Sequence, residues 1–329
     1  MLVEETFNFL TRLLNYIFAI PMLILGITGS ILIVIVITQK RTFRQNTNLT
    51  YLLAGAIMTG IHLPTIYIQM ILVYGFNVSL MNTNEAACRE HTYLRYVTTV
   101  AAISFPCWAA FDQYVGTSRS AIIRNRWGSL RIVRLVIVCT VIFWFLFYIP
   151  IIFFTGITNG VCNFKPSLYT TLTTYIFTPL VYGLGPVGVI TYCILGTVKN
   201  LRLNNIHRSH EKLAKQVRAM LIPQLIILAI SGIPFGFQNI YLDMTSHIAK
   251  DAKRIAIENF LGQVVLIFYH FNYVFTFYIY VYKSSEFRKV LRKQVPRCIR
   301  ACPIYPTDVI INNSIKPLEI NQTNFTQTV

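Results

Sequence analysis

The apolar residues fall into long uninterrupted stretches along the chain. A transmembrane helix needs about 20 predominantly apolar residues. Seven stretches contain no Asp, Glu, Lys or Arg: Leu13–Gln39, Gln45–Asn84, Tyr96–Phe111, Leu135–Phe164, Pro166–Val198, Ala219–Leu242 and Asn259–Tyr282. The pattern therefore predicts an all-α membrane protein built as a bundle of seven transmembrane helices. The third stretch is short, so we expect its helix to continue past Arg95 and Asp112, the charged residues that flank it.

The composition agrees with a membrane protein and narrows the meaning of the charge. The 329 residues are 54% hydrophobic and 12% charged, with a mean hydropathy of +0.54, whereas a soluble domain carries roughly 25% charged residues. The net charge of +17 is typical either of a nucleic-acid-binding surface or of the cytoplasmic side of a membrane protein. The hydropathy favours the membrane protein, and no nucleic-acid partner is expected.

The distribution of Lys and Arg predicts the orientation in the membrane. If the N-terminus is outside, most of the basic residues fall in the cytoplasmic segments, as the positive-inside rule requires. The sequence thus predicts a multi-pass plasma-membrane protein with three parts. Residues 1–14 form an extracellular N-terminus, residues 15–295 form the membrane domain, and residues 296–329 form a disordered cytoplasmic tail.

Two features mark the ends of the third span. Cys88 lies at its outer start, and the triplet Asp112-Gln113-Tyr114 follows 24 residues later, a helical distance of about 36 Å. A second cysteine, Cys162, lies in the predicted outer loop between spans four and five. Because the outside is oxidising, Cys88 and Cys162 can form a disulfide; the alternative is two free cysteines.

In order and spacing these features resemble those of the rhodopsin-like (class A) G-protein-coupled receptors. The resemblance covers residues 15–295. It includes a short amphipathic eighth helix over Glu286–Val295, which contains Phe287-Arg288. Further residues match family positions in the other spans: Gly26, Gly29, Trp144, Pro186, Pro234 and Tyr280.

The resemblance implies a divergent receptor of neuropeptide or chemosensory type. Such a receptor binds an extracellular peptide or small molecule and activates a heterotrimeric G protein. The family pattern makes Pro186 and Pro234 the hinges for movement of spans five and six. It also assigns coupling to one set of residues: Asp112, Gln113, Tyr114, Arg124, Lys215 and Tyr280.

The chain also departs from the family pattern. Gln113 replaces the arginine that contacts the G protein in the family, and Ala214 lies near the place of the acidic residue that locks that arginine. The resting state must therefore be held in another way. Asp112 is costly at the membrane edge unless it is paired. Either Arg119, Arg124 or Arg126 pairs with it, or it is a solvated helix-end charge.

The candidate ligand-binding residues are Arg95, His91, His270 and Glu258. Arg95 lies where receptors for biogenic amines carry an aspartate, so an amine ligand is disfavoured, and an arginine there can hold a carboxylate or phosphate. Alternatively, Arg95 snorkels or pairs with Glu90. His270 lies where light-sensing members carry the retinal lysine, which excludes retinal; it is either a pocket residue or a buried histidine paired with a neighbouring helix. His91 and Glu258 either face the vestibule or are solvated.

The remaining expectations concern lipid contacts, chemistry and alternative functions. Cys298 and Cys302 follow the amphipathic segment and are either palmitoylation sites or free thiols. The basic cytoplasmic loops are expected to contact anionic membrane lipids or the G protein. No catalytic motif, metal site or cofactor is predicted. Two alternative functions are a seven-span ligand-gated channel or transporter subunit and a non-signalling receptor-like decoy.

Overall fold

The computed structural model describes residues 2–292 apart from 77, 159, 204–207, 246–247 and 286. Four five-residue π-helical segments adjoin its α-helices: Asn15–Ala19, Ile71–Gly75, Thr173–Phe177 and Leu180–Leu184. The remaining short elements are a 3-10 turn, Leu80–Asn82, and two strands, β1 Thr155–Thr158 and β2 Val161–Phe164. The α-helices in chain order are α1 Leu2–Leu14, α2 Ile20–Gln39, α3 Arg41–Arg44, α4 Thr47–Met70, α5 Glu85–Gly116, α6 Ala121–Trp127, α7 Leu130–Phe147, α8 Ile149–Phe154, α9 Leu168–Leu172, α10 Gly185–Leu203, α11 Arg208–Met244 and α12 Ala252–Lys283.

Six helical segments among the described residues are long and apolar enough to cross a membrane. They are Val3–Gln39, Thr47–Gly75, Leu130–Phe154, Leu168–Leu201, Ile222–Leu242 and Ala252–Lys283. Large apolar side chains point outward from them; on α7, Leu135, Val138, Ile142 and Leu146 are all more than half exposed. Such a surface is unfavourable in water and suits hydrocarbon. The protein is therefore an all-α membrane protein.

The helix α5 differs from these six segments in its charge. It is 32 residues long, about 48 Å, and it carries Arg89, Glu90, Arg95 and Asp112. The expectation that it continues past Arg95 and Asp112 is confirmed. It packs against α4, α6, α7, α8, α10, α11 and β1. A long helix that carries charged residues is thus enclosed by neighbours on several sides.

Close approaches and one indole hydrogen bond hold α5 in place. An added Cβ on Gly55 of α4 would lie 3.3 Å from the Cβ of Phe105, so the glycine helps these two helices to approach closely. On the other side, the Trp144 Nε1–H of α7 donates to Ser104 Oγ at 2.9 Å. These contacts fix α5 between α4 and α7.

Prolines inside the helices are accommodated without ending them. Pro64, Pro106, Pro223 and Pro234 lie inside α4, α5 and α11. Neighbouring helices and hydroxyl groups satisfy the backbone carbonyls that a proline frees within a membrane bundle. Next to Pro179, the Thr178 hydroxyl donates to the Thr173 carbonyl at 2.8 Å. The π-helical segments on both sides of Pro179 show that the backbone adjusts locally there.

The first helix begins earlier than the boundary at residue 15 predicts. Residues Leu2–Leu14 form α1, which continues through the π-helical segment into α2. Glu4 and Glu5 lie in its first turn, where the helix dipole favours acidic side chains. Phe7 packs edge-on against Phe260 of α12 with ring centroids 5.6 Å apart. Residues 2–14 therefore extend the first helix along α12.

The fourth apolar stretch, Leu135–Phe164, is not helical throughout. Its last part forms the antiparallel hairpin of β1 and β2, in which Ile157 pairs with Cys162. Gly160 in the turn has a φ of 75°, a conformation that glycine adopts without steric cost. A count of charges cannot distinguish an apolar hairpin from an apolar helix, so the charge-free stretch extends beyond the helix into the outer loop that contains Cys162.

The hairpin is tied to the start of α5 by a disulfide between Cys88 and Cys162, with a Cα–Cα distance of 5.7 Å. The predicted pairing is thus the one that the structure contains. The Cys162 amide also donates to Asn82 Oδ1 at 2.9 Å. We call this end of the bundle the disulfide end and the opposite end, where α5 carries Asp112, the Asp112 end.

At the Asp112 end the chain turns sharply after α12. Ser284 is extended, with φ −111° and ψ 114°, and residues 287–292 are helical again. Phe287 is buried against Phe43, Phe277 and Tyr280. Arg288 Nη1 donates to the Val281 carbonyl at 2.9 Å and so caps α12. The rest of the segment predicted as the eighth helix lies outside the described residues.

Replacing Cys162 by serine is expected to destabilise the protein by about 2–4 kcal/mol. The hairpin would then be held to the start of α5 by weaker contacts alone. The measurement is thermal unfolding of the purified protein. Cys139→Ser is the matched control, because this thiol is free and exposed on α7. Equal melting temperatures for the two variants would contradict a stabilising bridge.

Candidate ligand cavity and the Asp112 end

A cavity of about 270 Å³ lies inside the bundle toward the disulfide end. Its walls come from α4, α5, α11, α12 and the two π-helical segments Ile71–Gly75 and Leu180–Leu184. Ligand pockets commonly hold about 300–1,000 Å³, so this cavity suits a small molecule or the end of a longer one. Three of the four predicted ligand-binding residues line it: Arg95, His270 and Glu258.

Arg95 provides the positive charge of the cavity. Among the described lining residues it is the sole Lys or Arg. Its side chain remains exposed, and none of the ion pairs between described residues includes it, so the alternative pairing with Glu90 is not observed. Its guanidinium lies 5.5 Å from the centroid of the Tyr96 ring. The group is therefore available to an anion that enters the cavity.

Glu258 lines the same cavity, but its carboxylate is already engaged. Lys250 Nζ lies 2.6 Å from Oε2, and Arg254 Nε lies 2.9 Å from Oε1. The Tyr241 hydroxyl also donates to Oε1 at 2.9 Å. Two cations and a phenol thus occupy this carboxylate and tie α11 to the start of α12. This environment favours a structural role for Glu258 over ligand contact.

Aromatic rings form much of the remaining wall. Phe235 of α11 and Tyr269 of α12 stack with centroids 4.3 Å apart. Tyr96 of α5 meets Tyr182 edge-on at 6.0 Å. All four residues line the cavity. A flat apolar group would find complementary faces there.

His270 also lines the cavity and pairs with a second histidine below it. Its Nε2 lies 3.2 Å from Nε2 of His62 on α4. His62 Nδ1 in turn lies 3.1 Å from the Thr98 hydroxyl and 3.3 Å from that of Thr99, both on α5. Both histidines are fully buried. The chain of contacts links α12, α4 and α5, so His270 both lines the cavity and pairs with a neighbouring helix.

The direction of this hydrogen-bond chain follows from its end. His270 Nδ1 lies 2.7 Å from the Leu266 carbonyl, and a carbonyl only accepts, so Nδ1 carries a proton. In a neutral ring, Nε2 of His270 is then an acceptor and His62 Nε2–H must donate to it. His62 Nδ1 is left as an acceptor. The Thr98 and Thr99 hydroxyls each donate their one proton to a carbonyl of α5, so one of them must turn from that carbonyl to donate to His62.

The fourth candidate, His91, does not line the cavity. Its Nε2–H donates to the Thr65 carbonyl at 2.7 Å. Thr65 lies next to Pro64, whose ring removes one backbone hydrogen-bond donor from α4. His91 therefore bridges α5 to α4 near this proline. The expectation that it faces a vestibule is not supported by these contacts.

At the opposite end of α5, Asp112 is held by a neutral partner. The Thr47 hydroxyl of α4 donates to Asp112 Oδ2 at 2.8 Å. No ion pair between described residues includes Asp112. The predicted candidates Arg119, Arg124 and Arg126 are exposed, and Arg124 donates instead to the Ser118 carbonyl. The ion-pair prediction for Asp112 is therefore wrong. These arginines lie beyond the end of α5 and not on the helix that carries Asp112.

The other two residues of the triplet face different neighbours. Gln113 is buried, with 8% of its surface exposed, and it has an interaction partner. The ring of Tyr114 packs against Tyr192 of α10 at 5.8 Å. An added Cβ on Gly196 would lie 2.5 Å from Tyr114 Cε2. The triplet thus contacts α4 through Asp112 and α10 through Tyr114.

Tyr280 links α12 to α11 at the same end. Its hydroxyl donates to Gln224 Oε1 at 3.2 Å, and Gln224 Nε2 donates to Thr276 Oγ1 at 3.4 Å. Tyr280 is 1% exposed and Gln224 is 4% exposed. The two helices therefore share a buried polar contact beside Pro223.

The two predicted hinge prolines lie where helices approach closely. Pro186 is at the second position of α10, directly after the π-helical segment Leu180–Leu184. Pro234 lies inside α11. Two residues before it, an added Cβ on Gly232 would meet Gly183 Cα at 3.4 Å. A proline and a close glycine contact thus occur together, as is common at helix kinks.

Three predicted residues lie wholly or partly outside the described part of the chain. Lys215 belongs to α11, but its side chain is not among those described. Cys298 and Cys302 lie beyond residue 292. Their predicted roles in coupling and lipidation stay predictions.

Two sets of residues in the cavity are not predicted from the sequence. The aromatic wall of Tyr96, Tyr182, Phe235 and Tyr269 is drawn from four separate segments, and each is an ordinary residue of an apolar helix. Gln263 of α12 is 5% exposed, lines the cavity, and its Oε1 has no hydrogen-bond partner. The one available signal was an amide within an apolar stretch.

We find no protein-family model that matches the chain and no match among curated proteins. The resemblance to rhodopsin-like receptors therefore rests on the motifs and their spacing.

The pairing of His62 and His270 can be measured with a double-mutant cycle. Replacing either histidine by phenylalanine leaves a buried ring nitrogen without its partner, which costs about 1–3 kcal/mol. The double substitution is expected to cost less than the sum of the single ones. The measurement is thermal unfolding of the purified variants. In the control cycle, His91→Phe with His270→Phe should be additive, because His91 bonds elsewhere. Additivity in both cycles would contradict the pairing.

The contact between Gly196 and Tyr114 predicts a position-dependent effect on α10. Gly196→Ala is expected to lower the melting temperature, because the new methyl group displaces the tyrosine ring. Gly188→Ala on the same helix meets open space and should be stabilising by roughly 0.5–1 kcal/mol. Adding Tyr114→Leu should relieve the Gly196→Ala penalty. A penalty that persists in that background would contradict the contact.

Proposed function

We propose that the chain is a G-protein-coupled receptor of the rhodopsin-like type. It binds an extracellular ligand in the cavity beside Arg95 and activates a heterotrimeric G protein at the Asp112 end. One observation carries the proposal: the same central helix, α5, contributes Arg95 to the cavity and the Asp112-Gln113-Tyr114 triplet to the other end. The two residues are about 25 Å apart along the helix, so a movement of α5 would be felt at both ends.

In this proposal α5 is the third of seven spans and the disulfide end is outside. The oxidised pair Cys88–Cys162 at one end supports this orientation. The basic residues Lys40, Arg41, Arg44, Arg124 and Arg126 at the other end support it as well, because positive charge accumulates on the cytoplasmic side. The plasma membrane is then the expected location. The helical residues 287–292, with Phe287 buried, support a short eighth helix.

The buried polar contacts provide a route for the response. A ligand in the cavity touches His270, and His270 is connected through His62 to α4 and α5. At the Asp112 end, Tyr280 and Gln224 connect α12 to α11. A ligand that favours one arrangement of these contacts shifts the bundle toward it. The inner ends of spans five and six then move about Pro186 and Pro234 and expose a basic surface to the G protein and to anionic lipid.

The bond between Thr47 and Asp112 takes the place of the family's ionic lock. Gln113 cannot form that lock, because it carries no charge. The Thr47 hydroxyl instead holds the Asp112 carboxylate against α4. We infer that this bond stabilises the resting arrangement of the Asp112 end.

The test is expression of the full chain in cultured cells with energy-transfer sensors for each class of heterotrimeric G protein. An N-terminal epitope on intact cells reports the orientation. Panels of peptides and of odorant molecules are applied while membrane current is recorded. Sensor activation identifies a receptor. Current that persists when G proteins are blocked would favour the channel subunit, and silence in both readouts despite surface expression would favour the decoy.

Removing the Thr47 hydroxyl is expected to raise basal signalling. In Thr47→Val the Asp112 carboxylate loses its partner, which costs the resting state about 1–3 kcal/mol. Sensor activity without added ligand should therefore rise at matched surface expression. Thr50→Val is the control, because the Thr50 hydroxyl bonds the Asn46 carbonyl within α4. Unchanged basal activity in both variants would contradict a role of this bond in the resting state.

A further inference from the structure

The charge balance of the cavity selects the charge of its ligand. Arg95 and Glu258 are its two fully charged residues among the described lining. Glu258 is compensated by Lys250 and Arg254, whereas Arg95 has no carboxylate partner among the described residues. Arg95 is thus the cation of the lining that lacks a counter-charge. A carboxylate on the ligand would supply one.

A second polar group in the cavity, the side-chain oxygen of Gln263, has no hydrogen-bond donor. Gln263 is 5% exposed, and its Oε1 accepts no hydrogen bond. A buried acceptor without a donor is unfavourable by about 1–3 kcal/mol. Gln263 and Arg95 line the same cavity, and both interact with Tyr74 of its wall. A ligand with an N–H next to its carboxylate would satisfy both.

The rest of the cavity wall indicates the shape and polarity of the remaining part of the ligand. Beyond the polar groups stand Tyr96, Tyr182, Phe235 and Tyr269. Their rings favour a flat apolar group through edge and face contacts. The volume of about 270 Å³ limits that body to one aromatic or branched side chain.

We propose that the cavity binds an acylated amino-acid end: one carboxylate for Arg95, an adjacent amide N–H for Gln263 Oε1, and an apolar side chain against the aromatic wall. This end group is shared by free N-acyl amino acids and by the C-terminal residue of a peptide. The inference rests on the proposed function only in taking this cavity as the ligand site.

The test uses the purified full chain in lipid nanodiscs and N-acetyl-L-phenylalanine as the probe, with affinity measured by calorimetry. Two matched compounds remove one feature each. N-acetyl-L-phenylalaninamide lacks the carboxylate and is expected to bind roughly ten- to a hundredfold more weakly, and 3-phenylpropanoate lacks the N–H and is expected to bind roughly two- to tenfold more weakly. Equal affinities for the acid and its amide, or no binding of the acid at millimolar concentration, would overturn the proposal.

Variants assign the two contacts to their residues. Arg95→Gln should abolish the preference for the acid over its amide, while Arg95→Lys keeps the charge and should keep part of the preference. Gln263→Met should abolish the preference for the acetylated acid over 3-phenylpropanoate. Arg89→Gln is the control on the same helix, since Arg89 pairs with Glu85 at 2.5 Å outside the cavity. An unchanged acid preference in a folded Arg95→Gln protein would also overturn the proposal.

The same binding assay distinguishes a peptide ligand from a free N-acyl amino acid. It also tests ligand binding independently of the proposed receptor function. The peptide Gly-Gly-Gly-Phe and N-acetyl-L-phenylalanine share the end group, so tighter binding of the peptide assigns a peptide ligand and tighter binding of the probe assigns a small molecule. Binding in nanodiscs needs no G protein. Binding without sensor activation in cells would therefore count against the proposed function and support the ligand assignment.

Discussion

The structure depends on one constraint: a helix that carries charge must lie inside an otherwise apolar bundle. Hydrocarbon offers no hydrogen bonds, so each polar group at membrane depth needs a partner within the protein. The charged helix α5 meets this condition by being surrounded. The Thr47 hydroxyl donates a hydrogen bond to the Asp112 carboxylate, and Ser104 Oγ accepts one from the indole N–H of Trp144. Arg95 is the exception, because its charge faces a cavity. The cavity therefore contains the cation of α5 that has no carboxylate partner among the described residues.

Much of the architecture can be predicted from the charge-free stretches. The errors of that prediction have a common physical origin. The stretches predict where helices lie because apolar length is what a membrane requires. They contain no information on how an apolar segment folds, so the fourth stretch runs past the end of the helix into the hairpin after Phe154. They also contain no information on packing. The helix over residues 2–14 is therefore not predicted from them, because the contact between Phe7 and Phe260 joins residues far apart in the chain. The Cys88–Cys162 bridge could be predicted because both cysteines are placed on the outer side, where the environment is oxidising.

The candidate site was less accessible from the sequence than the fold. Arg95 could be chosen because it lies where the resemblance places the aspartate of receptors for biogenic amines. The aromatic wall could not be chosen, because its four rings come from different segments and are common in any membrane helix. Gln263 presents the same difficulty, since most amides in such helices bond to a neighbouring helix. Its buried, unbonded oxygen together with its place in the cavity wall distinguishes it. The pairing of Asp112 failed for a related reason, because closeness in sequence does not determine the direction of a side chain at a helix end.

The replacement of an ion pair by the Thr47–Asp112 bond has an energetic consequence for any two-state mechanism in this bundle. A hydrogen bond to a charged group contributes about 1.5–3 kcal/mol, whereas shifting a population from 1:99 to 99:1 requires about 5.5 kcal/mol. This bond alone can therefore bias the Asp112 end without fixing it. The remaining preference has to come from contacts shared by several helices, such as the Tyr280–Gln224 link and the His62–His270 pair. Because the second of these touches the cavity, a ligand there would act directly on part of the free energy that holds the bundle in one state.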